Sequence, residues 1–248
     1  MFEVSELILI AVSMLLAAGF QAFTGFGFSL ICTAVLAMIL DDVQTAVLLL
    51  VLPGWFAGGS AAFSLRHVAP WKSIRTYLLV TPVGILVGVW ILDVVPAWSL
   101  ELLLILLLLQ VLLSSAIGGI GSWIQATIPS GFLAGLAAGS LGTAGPPVVA
   151  WAQSKDEWEL PQRRAATLWV FAIINPLRLP FYIAFGLMTN ADIWTVALAS
   201  IPLVFVGSAL GNRLARHVSK ERSEVIVKLA MTALAISLSF QAYGHITA

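Results

Sequence analysis

The sequence predicts an all-α polytopic membrane protein, and two observations lead to that prediction. The chain has 248 residues, of which 60% are hydrophobic and 10% are charged. A water-soluble domain of this length could not bury so much apolar surface, so lipid must be the solvent for most of the chain. Apolar segments also alternate with short polar loops from one end to the other. Such segments must be helical, because a backbone exposed to lipid has to pair its polar groups within its own segment.

The first apolar run is too long for one span. It has no charge from residue 7 to residue 40, which corresponds to about 50 Å of helix against a hydrocarbon core of roughly 30 Å. Its centre, "QAFTGFGFSL", collects two glycines, a threonine and a serine. A second run, 126–152, is interrupted in the same way by "GSLGTAGPP". The other predicted spans are 43–65, 76–92, 98–117, 165–188, 193–212 and 225–243.

An internal repeat relates the two long runs. Several identical residues lie 120 positions apart, and the boundaries of the apolar segments align at the same offset. The matching pairs are Gly19 and Gly139, Gly25 and Gly145, Ala46 and Ala166, Pro82 and Pro202, and Glu101 and Glu221. We therefore predict a single transmembrane domain, 1–248, composed of repeat 1 (1–120) and repeat 2 (121–248).

The basic residues predict the topology, because lysine and arginine in short loops mark the cytoplasmic side. They concentrate in the loops 66–75, 154–164 and 213–224, whereas 41–42, 93–97, 189–192 and both termini carry none. If each long run crossed once, no orientation would place all three basic loops on one side. If each long run is instead a hairpin that returns to the side it entered, all three loops are cytoplasmic and both termini lie outside.

This topology predicts two inverted repeats, each a broken-helix hairpin plus three transmembrane helices. A hairpin and three spans make an odd number of crossings, so the second half runs opposite to the first. Many secondary transporters have this architecture, with the substrate site near the midplane between broken helices.

The two hairpin tips are the candidate binding site. The N-terminus of a half-helix presents free N–H groups and a partial positive charge, which suits an anion. The predicted substrate-binding residues at the tips are Thr24, Gly25, Gly27, Ser29, Gly142, Thr143 and Gly145. Pro146 and Pro147 suit the first turn of the second returning half-helix. The alternative is that these glycines only permit tight helix packing, as small residues do in many membrane helices.

Arg178 and Asn175 complete the predicted site. Arg178 lies well inside the segment 165–188, where an arginine is costly and suggests a countercharge to an anion. It could instead extend toward the interface, or cap carbonyl groups freed by Pro176 and Pro180. Asn175 could be a ligand donor or could repair the proline break. Gln21 and Gln153 flank the breaks, and for each a helix-end cap is favoured over a role as ligand donor.

Several other classes of function are disfavoured. Zero net charge gives no reason to expect nucleic acid as a partner, and the single cysteine, Cys32, excludes a disulfide framework or a thiol metal site. No acid lies deep in a span, since Glu101 is about one turn into its segment, and His245 is expected to be solvated. An intramembrane enzyme would need a nucleophile and base that the sequence does not supply, so we predict no enzyme, metal or cofactor. A homodimer is left open.

The sequence resembles the TauE/SafE sulfite exporter family, also called the toluenesulfonate uptake permease family. The resemblance rests on "AGFQAFTGFGFSL", on "AAGSLGTAGPPVVAW" and on the duplicated four-segment hydropathy. It implies a secondary transporter or facilitator that moves sulfite or organosulfonates across a bacterial inner membrane without ATP. In such a membrane the topology predicted from the basic loops places both termini in the periplasm. The alternatives are a transporter of another small organic anion and a non-transporting membrane scaffold.

Overall fold

The computed structural model describes residues 2–114, 126–215 and 220–247, and within these ranges every regular element is an α-helix. The all-α prediction is thereby confirmed for the described residues. The predicted repeat boundary at 120/121 lies outside them. In chain order the helices are α1 (Val4–Thr24), α2 (Phe28–Leu40), α3 (Val43–Leu49), α4 (Val51–Ser64), α5 (Trp71–Val94), α6 (Ala97–Ser114), α7 (Thr127–Leu141), α8 (Gly145–Gln153), α9 (Leu160–Ala184), α10 (Ala191–Ala215) and α11 (Lys220–Thr247).

The helices have the length and surface of a multi-pass membrane protein. Among the described residues, four stretches are long and apolar enough to cross a bilayer: Val4–Ala22, Trp71–Val94, Leu160–Ala184 and Ala191–Leu214. Large apolar side chains cover the outside of the bundle, with Leu79 77% exposed and Phe240 75% exposed. Such a surface is stable only against lipid or another apolar partner.

Both long apolar runs break where the sequence predicts. The first breaks at 25–27, where Gly25 (φ +89°) and Gly27 (φ +102°) adopt the left-handed conformation that glycine tolerates best. The second breaks at 142–144, beginning with Gly142 (φ +71°). After each break the chain turns back, since α2 packs on α1 and α8 packs on α7.

Side-chain bonds hold the second hairpin together. The Trp151 indole N–H donates to Thr127 Oγ1 at 3.2 Å, and Ser130 Oγ donates to the Pro147 carbonyl at 2.8 Å. The end of α8 therefore lies beside the start of α7, as a hairpin requires.

The segment 43–65 differs from its prediction as a single span. It consists of two helices, α3 and α4, which meet at Leu50. Pro53 has no N–H group to donate to the carbonyl of Leu49, so the helical ladder is interrupted there. The junction at Leu50 is a third helix break, in addition to those at the two hairpin tips, and the dipeptide Pro53–Gly54 is the sequence feature that indicates it.

Two pairs of helices run parallel with their backbones in contact. On α5 and α7, a methyl group at Gly84 would overlap the carbonyl oxygen of Phe132, and one at Gly88 would overlap that of Leu136. On α1 and α10, a methyl group at Gly211 would overlap the carbonyl oxygen of Gly19. Helices approach this closely only where the side chain is a hydrogen atom.

Contacts near the helix ends gather the loops into two groups at opposite ends of the bundle. At one end, which we call the basic end, Trp71 packs on Trp169 and Tyr77 packs on Trp151. Arg163 donates there to the carbonyl of Gln153. The basic loops 66–75 and 154–164 therefore share an end. The third basic loop, 213–224, falls partly outside the described residues.

The opposite end carries acids. Gln44 on α3 donates to the Leu92 carbonyl of α5, and Gln241 on α11 donates to Asp41 at the end of α2. We call this end, formed by 41–44, 92–101 and 241–245, the acidic end.

Candidate functional site

The two hairpin tips meet at a cavity that α4 and α9 complete. Its volume is about 20 Å³, room for about one water molecule. An oxyanion is larger, so its binding requires the lining to move apart. The residues that line the cavity are Gln21, Gly27, Ser29, Gly54, Thr143, Ala144, Gly145, Phe171, Ile174 and Asn175.

The structure brings five of the nine predicted site residues to this cavity: Gly27, Ser29, Thr143, Gly145 and Asn175. The other four, Thr24, Gly25, Gly142 and Arg178, lie next to the cavity in sequence or in space but do not line it.

At the first tip, Thr24 and Gly25 shape the turn. Thr24 Oγ1 lies 2.8 Å from the carbonyl oxygen of Phe20 and 2.6 Å from that of Phe26, so its single hydroxyl hydrogen is shared between acceptors before and within the break. Gly25 caps α1 by donating its N–H to the Gln21 carbonyl. Neither residue directs a donor into the cavity.

The start of α2 presents free donors. Gln21 Oε1 accepts a hydrogen bond from the N–H of Phe28 at 3.2 Å, which satisfies the first orphan N–H of the helix. The first backbone bond of α2 runs from Ile31 to Gly27. The N–H of Ser29 lies between them and has no acceptor among the described residues. This end of α2 therefore carries the partial positive charge of a helix N-terminus.

The second tip presents fewer donors than the first. The N–H of Gly145 already approaches Thr143 Oγ1 at 3.5 Å, and the next two residues, Pro146 and Pro147, have no N–H at all. The two tips are related in position, but their hydrogen-bonding capacity differs.

Arg178 is fully buried and binds backbone carbonyls. Its Nη1 donates to Ala138 at 3.2 Å and its Nη2 to Leu50 at 3.4 Å. The Tyr182 hydroxyl also lies 3.0 Å from the Ala138 oxygen. Arg178 thus does not extend to the interface. Arg178 does cap backbone carbonyl groups, which was one of the alternatives to a countercharge role. Those carbonyls lie in α7 and at the α3–α4 junction, however, and not beside Pro176 and Pro180.

The position of Arg178 places a positive charge directly behind the second tip. Its Nη1 would lie 3.2 Å from a methyl group at Gly142. No aspartate or glutamate in the described part of the chain forms an ion pair with it. Among the described residues, therefore, no carboxylate neutralises this positive charge.

Asn175 links α9 to α4. Its Nδ2 donates to the Gly54 carbonyl at 3.0 Å, and only 8% of the residue is exposed. Asn175 therefore braces the helix that follows the third break, while also lining the cavity.

A family comparison covers nearly the whole chain. The family model described as "Sulfite exporter TauE/SafE" matches residues 9–238. The chain belongs to the sulfite exporter TauE/SafE family. Searches of curated proteins and of solved structures return no match. The predicted family is confirmed, and membership implies a membrane transporter with a small anionic substrate.

Sequence reasoning about this TauE/SafE protein missed part of the cavity wall. Phe171, Ile174, Asn175 and Arg178 recur at the spacing of one helix face, so the two apolar residues could have been found from the two polar ones. For Gln21 the sequence favoured a capping role over a binding role. The residue does cap α2, and it also lines the cavity.

His245 has two carboxylate neighbours that the sequence did not indicate, although its side chain remains 29% exposed. Its Nδ1 lies 3.0 Å from Glu101 Oε1 and its Nε2 lies 3.1 Å from Asp41 Oδ1. Glu101 is only 1% exposed. The pair joins α11 to α6 and α2 at the acidic end of the TauE/SafE fold, far along α2 from the cavity.

Proposed function

We propose that this protein is a secondary transporter or facilitator that moves small sulfur-containing anions, sulfite or an organosulfonate, and binds them between the two hairpin tips. One observation carries the proposal: the N-terminal ends of α2 and α8 meet at a single cavity, behind which Arg178 is buried with no carboxylate partner among the described residues. Helix N-termini and an unpaired cation favour an anion at that position.

Each predicted site residue has a role in this proposal. The N–H and hydroxyl of Ser29, the hydroxyl of Thr143 and the N–H of Gly145 donate to the anion, and Gly27 lets the backbone approach it. Thr24, Gly25 and Gly142 set the shape of the tips. Arg178 supplies the countercharge from behind the cavity, which it does not line, and Asn175 fixes the wall.

The helix contacts support the inverted-repeat interpretation. We assign α1–α6 to the repeat 1–120 and α7–α11 to the repeat 121–248, with α3 and α4 together matching α9. Exchanging the repeats turns the α5–α7 contact into the α10–α1 contact, and the α4–α10 contact into the α9–α5 contact. The same exchange leaves the α4–α9 contact and the α6–α11 contact unchanged, because each joins a helix to its own counterpart in the other repeat. A twofold relation between halves with opposite orientation predicts this pattern.

The basic end is assigned to the cytoplasm. Two basic loops lie together there, and lysine and arginine in short loops favour that side. The termini, residues 41–42 and the rest of the acidic end then face the periplasm of a bacterial inner membrane.

Anion flux in proteoliposomes tests the function. Vesicles loaded with sulfite, an alkanesulfonate or a simple carboxylate should release the sulfur anions faster than protein-free vesicles. Preferential release of the carboxylate would support the alternative of another organic anion. Absence of flux for every anion, from correctly folded protein, would reject transport and leave the scaffold alternative.

A further inference from the structure

We infer that the cavity binds its anion as a monoanion, which for sulfite means the protonated form, hydrogensulfite, and that Gln21 is one of the residues that hold it. This inference rests on the proposed function and specifies the ionic form of the substrate. The inference is based on the amide side chains of Gln21 and Asn175 and on the charge balance around the cavity.

The orientation of the Gln21 amide is fixed by the backbone. The N–H of Phe28 can only donate, so the atom that meets it at 3.2 Å must be the carbonyl oxygen Oε1. The amide nitrogen Nε2 then has no partner among the described residues. Because Gln21 lines the cavity, Nε2 is a donor available to an anion there.

The Asn175 amide is fixed in the opposite sense. The carbonyl of Gly54 can only accept, so the atom 3.0 Å from it must be Nδ2. This leaves Oδ1 as the atom of that side chain with no partner in the described residues. A carbonyl oxygen in the wall repels the oxygens of the sulfite dianion but accepts a hydrogen bond from the O–H group of protonated sulfite.

The charges near the cavity balance a single negative charge. All ten lining residues are uncharged, and the buried cation beside them is Arg178, which no described carboxylate neutralises. A monoanion makes this region neutral, whereas a dianion leaves one negative charge in a poorly solvated site. The desolvation penalty of an ion grows with the square of its charge, so the dianion is strongly disfavoured.

Sulfite offers a direct test, because it interconverts with hydrogensulfite near neutral pH while methanesulfonate stays a monoanion. Binding of both anions to the full-length protein in nanodiscs would be measured from about pH 6 to about pH 8. If only the protonated form of sulfite binds, the apparent Kd for total sulfite rises about tenfold for each pH unit above the ionisation midpoint of sulfite. The Kd for methanesulfonate should stay constant over that range.

Gln21→Glu adds a second measurement. Glutamate can still accept from the N–H of Phe28, so the cap persists, but the amide donor is lost and a negative charge is added. We expect at least roughly tenfold weaker sulfite binding, with an unchanged helical content. The matched control is Gln153→Glu, since Gln153 is the last residue of α8, is exposed and does not line the cavity.

The outcomes separate the two proposals. A sulfite Kd that does not change with pH, or that changes in parallel with the methanesulfonate Kd, would overturn the monoanion inference while leaving anion transport standing. Equal sulfite binding by Gln21→Glu and Gln153→Glu would overturn the role of Gln21. Absence of binding for both anions at every pH would instead count against the proposed function.

Discussion

The Nη1 atom of Arg178 lies 3.2 Å from the carbonyl oxygen of Ala138, so the charge buried in α9 is bonded to the last turns of α7. Its Nη2 reaches Leu50, where α3 and α4 meet. One guanidinium therefore connects two chain breaks from opposite halves of the sequence. This relationship makes Arg178 the most informative residue to change.

Arg178→Gln should abolish transport while folded protein remains in the membrane. Glutamine keeps a donor for one carbonyl but removes the countercharge, and losing a desolvated charge from an anion site costs roughly a hundredfold in affinity. Anion flux in vesicles and gel filtration of the purified variant are the measurements. Arg75→Gln at the exposed basic end is the matched control. Wild-type flux in Arg178→Gln would assign the residue a purely structural role.

Topology can be tested with single cysteines in a Cys32→Ala background, where the natural thiol, fully buried, is removed. We expect a membrane-impermeant maleimide added from the periplasm to label a cysteine at residue 41. Cysteines at residues 72 and 155 should react only after the cytoplasmic face is opened. Labelling of residue 41 from the cytoplasm would contradict the returning first hairpin.

Gly135→Ala should destabilise the protein, because the added methyl group would overlap the carbonyl oxygen of Thr81 on the adjoining helix. Overpacking of this kind costs about 1–3 kcal/mol. Gly59→Ala is the control, since its methyl group would meet only Trp55 Cδ1 at 4.0 Å. Thermal unfolding in detergent should show a lower Tm for Gly135→Ala alone. Equal Tm values would mean that α5 and α7 are not in backbone contact.

His245→Ala should also lower the Tm. It removes the partner of Glu101, a carboxylate that is 1% exposed. Breaking a fully buried pair from one side costs about 3–5 kcal/mol, and the loss here should be smaller because the His245 side chain is 29% exposed. Glu101→Gln combined with His245→Ala should recover part of the loss, because the uncompensated charge is gone. The exposed His67→Ala is the control. A double variant no more stable than His245→Ala would contradict the coupling of these residues.

Transport should respond to the membrane potential. A potential that is negative inside drives an anion outward by about 2.3 kcal/mol per charge for each 100 mV. A monoanion crossing without a coupling ion therefore carries net charge. Vesicles loaded with sulfite and clamped with potassium and valinomycin should show efflux that follows the potential and depends little on sodium. Flux that follows a sodium gradient and ignores the potential would defeat this prediction.

The sequence by itself located both breaks at the tips of the long apolar runs. An apolar run that is too long for one span and has glycines at its centre is expected to turn back within the membrane. Gly25, Gly27 and Gly142 adopt the positive φ angles that such a turn requires. The motifs around those breaks also sufficed to indicate the TauE/SafE family. These features depend on the backbone conformations and motifs of consecutive residues, so the sequence alone was enough to predict them.

Only the tertiary structure decided which atoms Arg178, Asn175 and His245 contact. Arg178 binds Ala138 and Leu50, and Asn175 binds Gly54 across more than a hundred positions of sequence. Glu101 and His245 looked marginal or solvated in the sequence and pair at the acidic end. Periodicity shows which face of a helix is polar, but the partner of that face depends on how the helices pack. That packing depends on contacts between distant segments, such as Gly84 against Phe132, which no local pattern records.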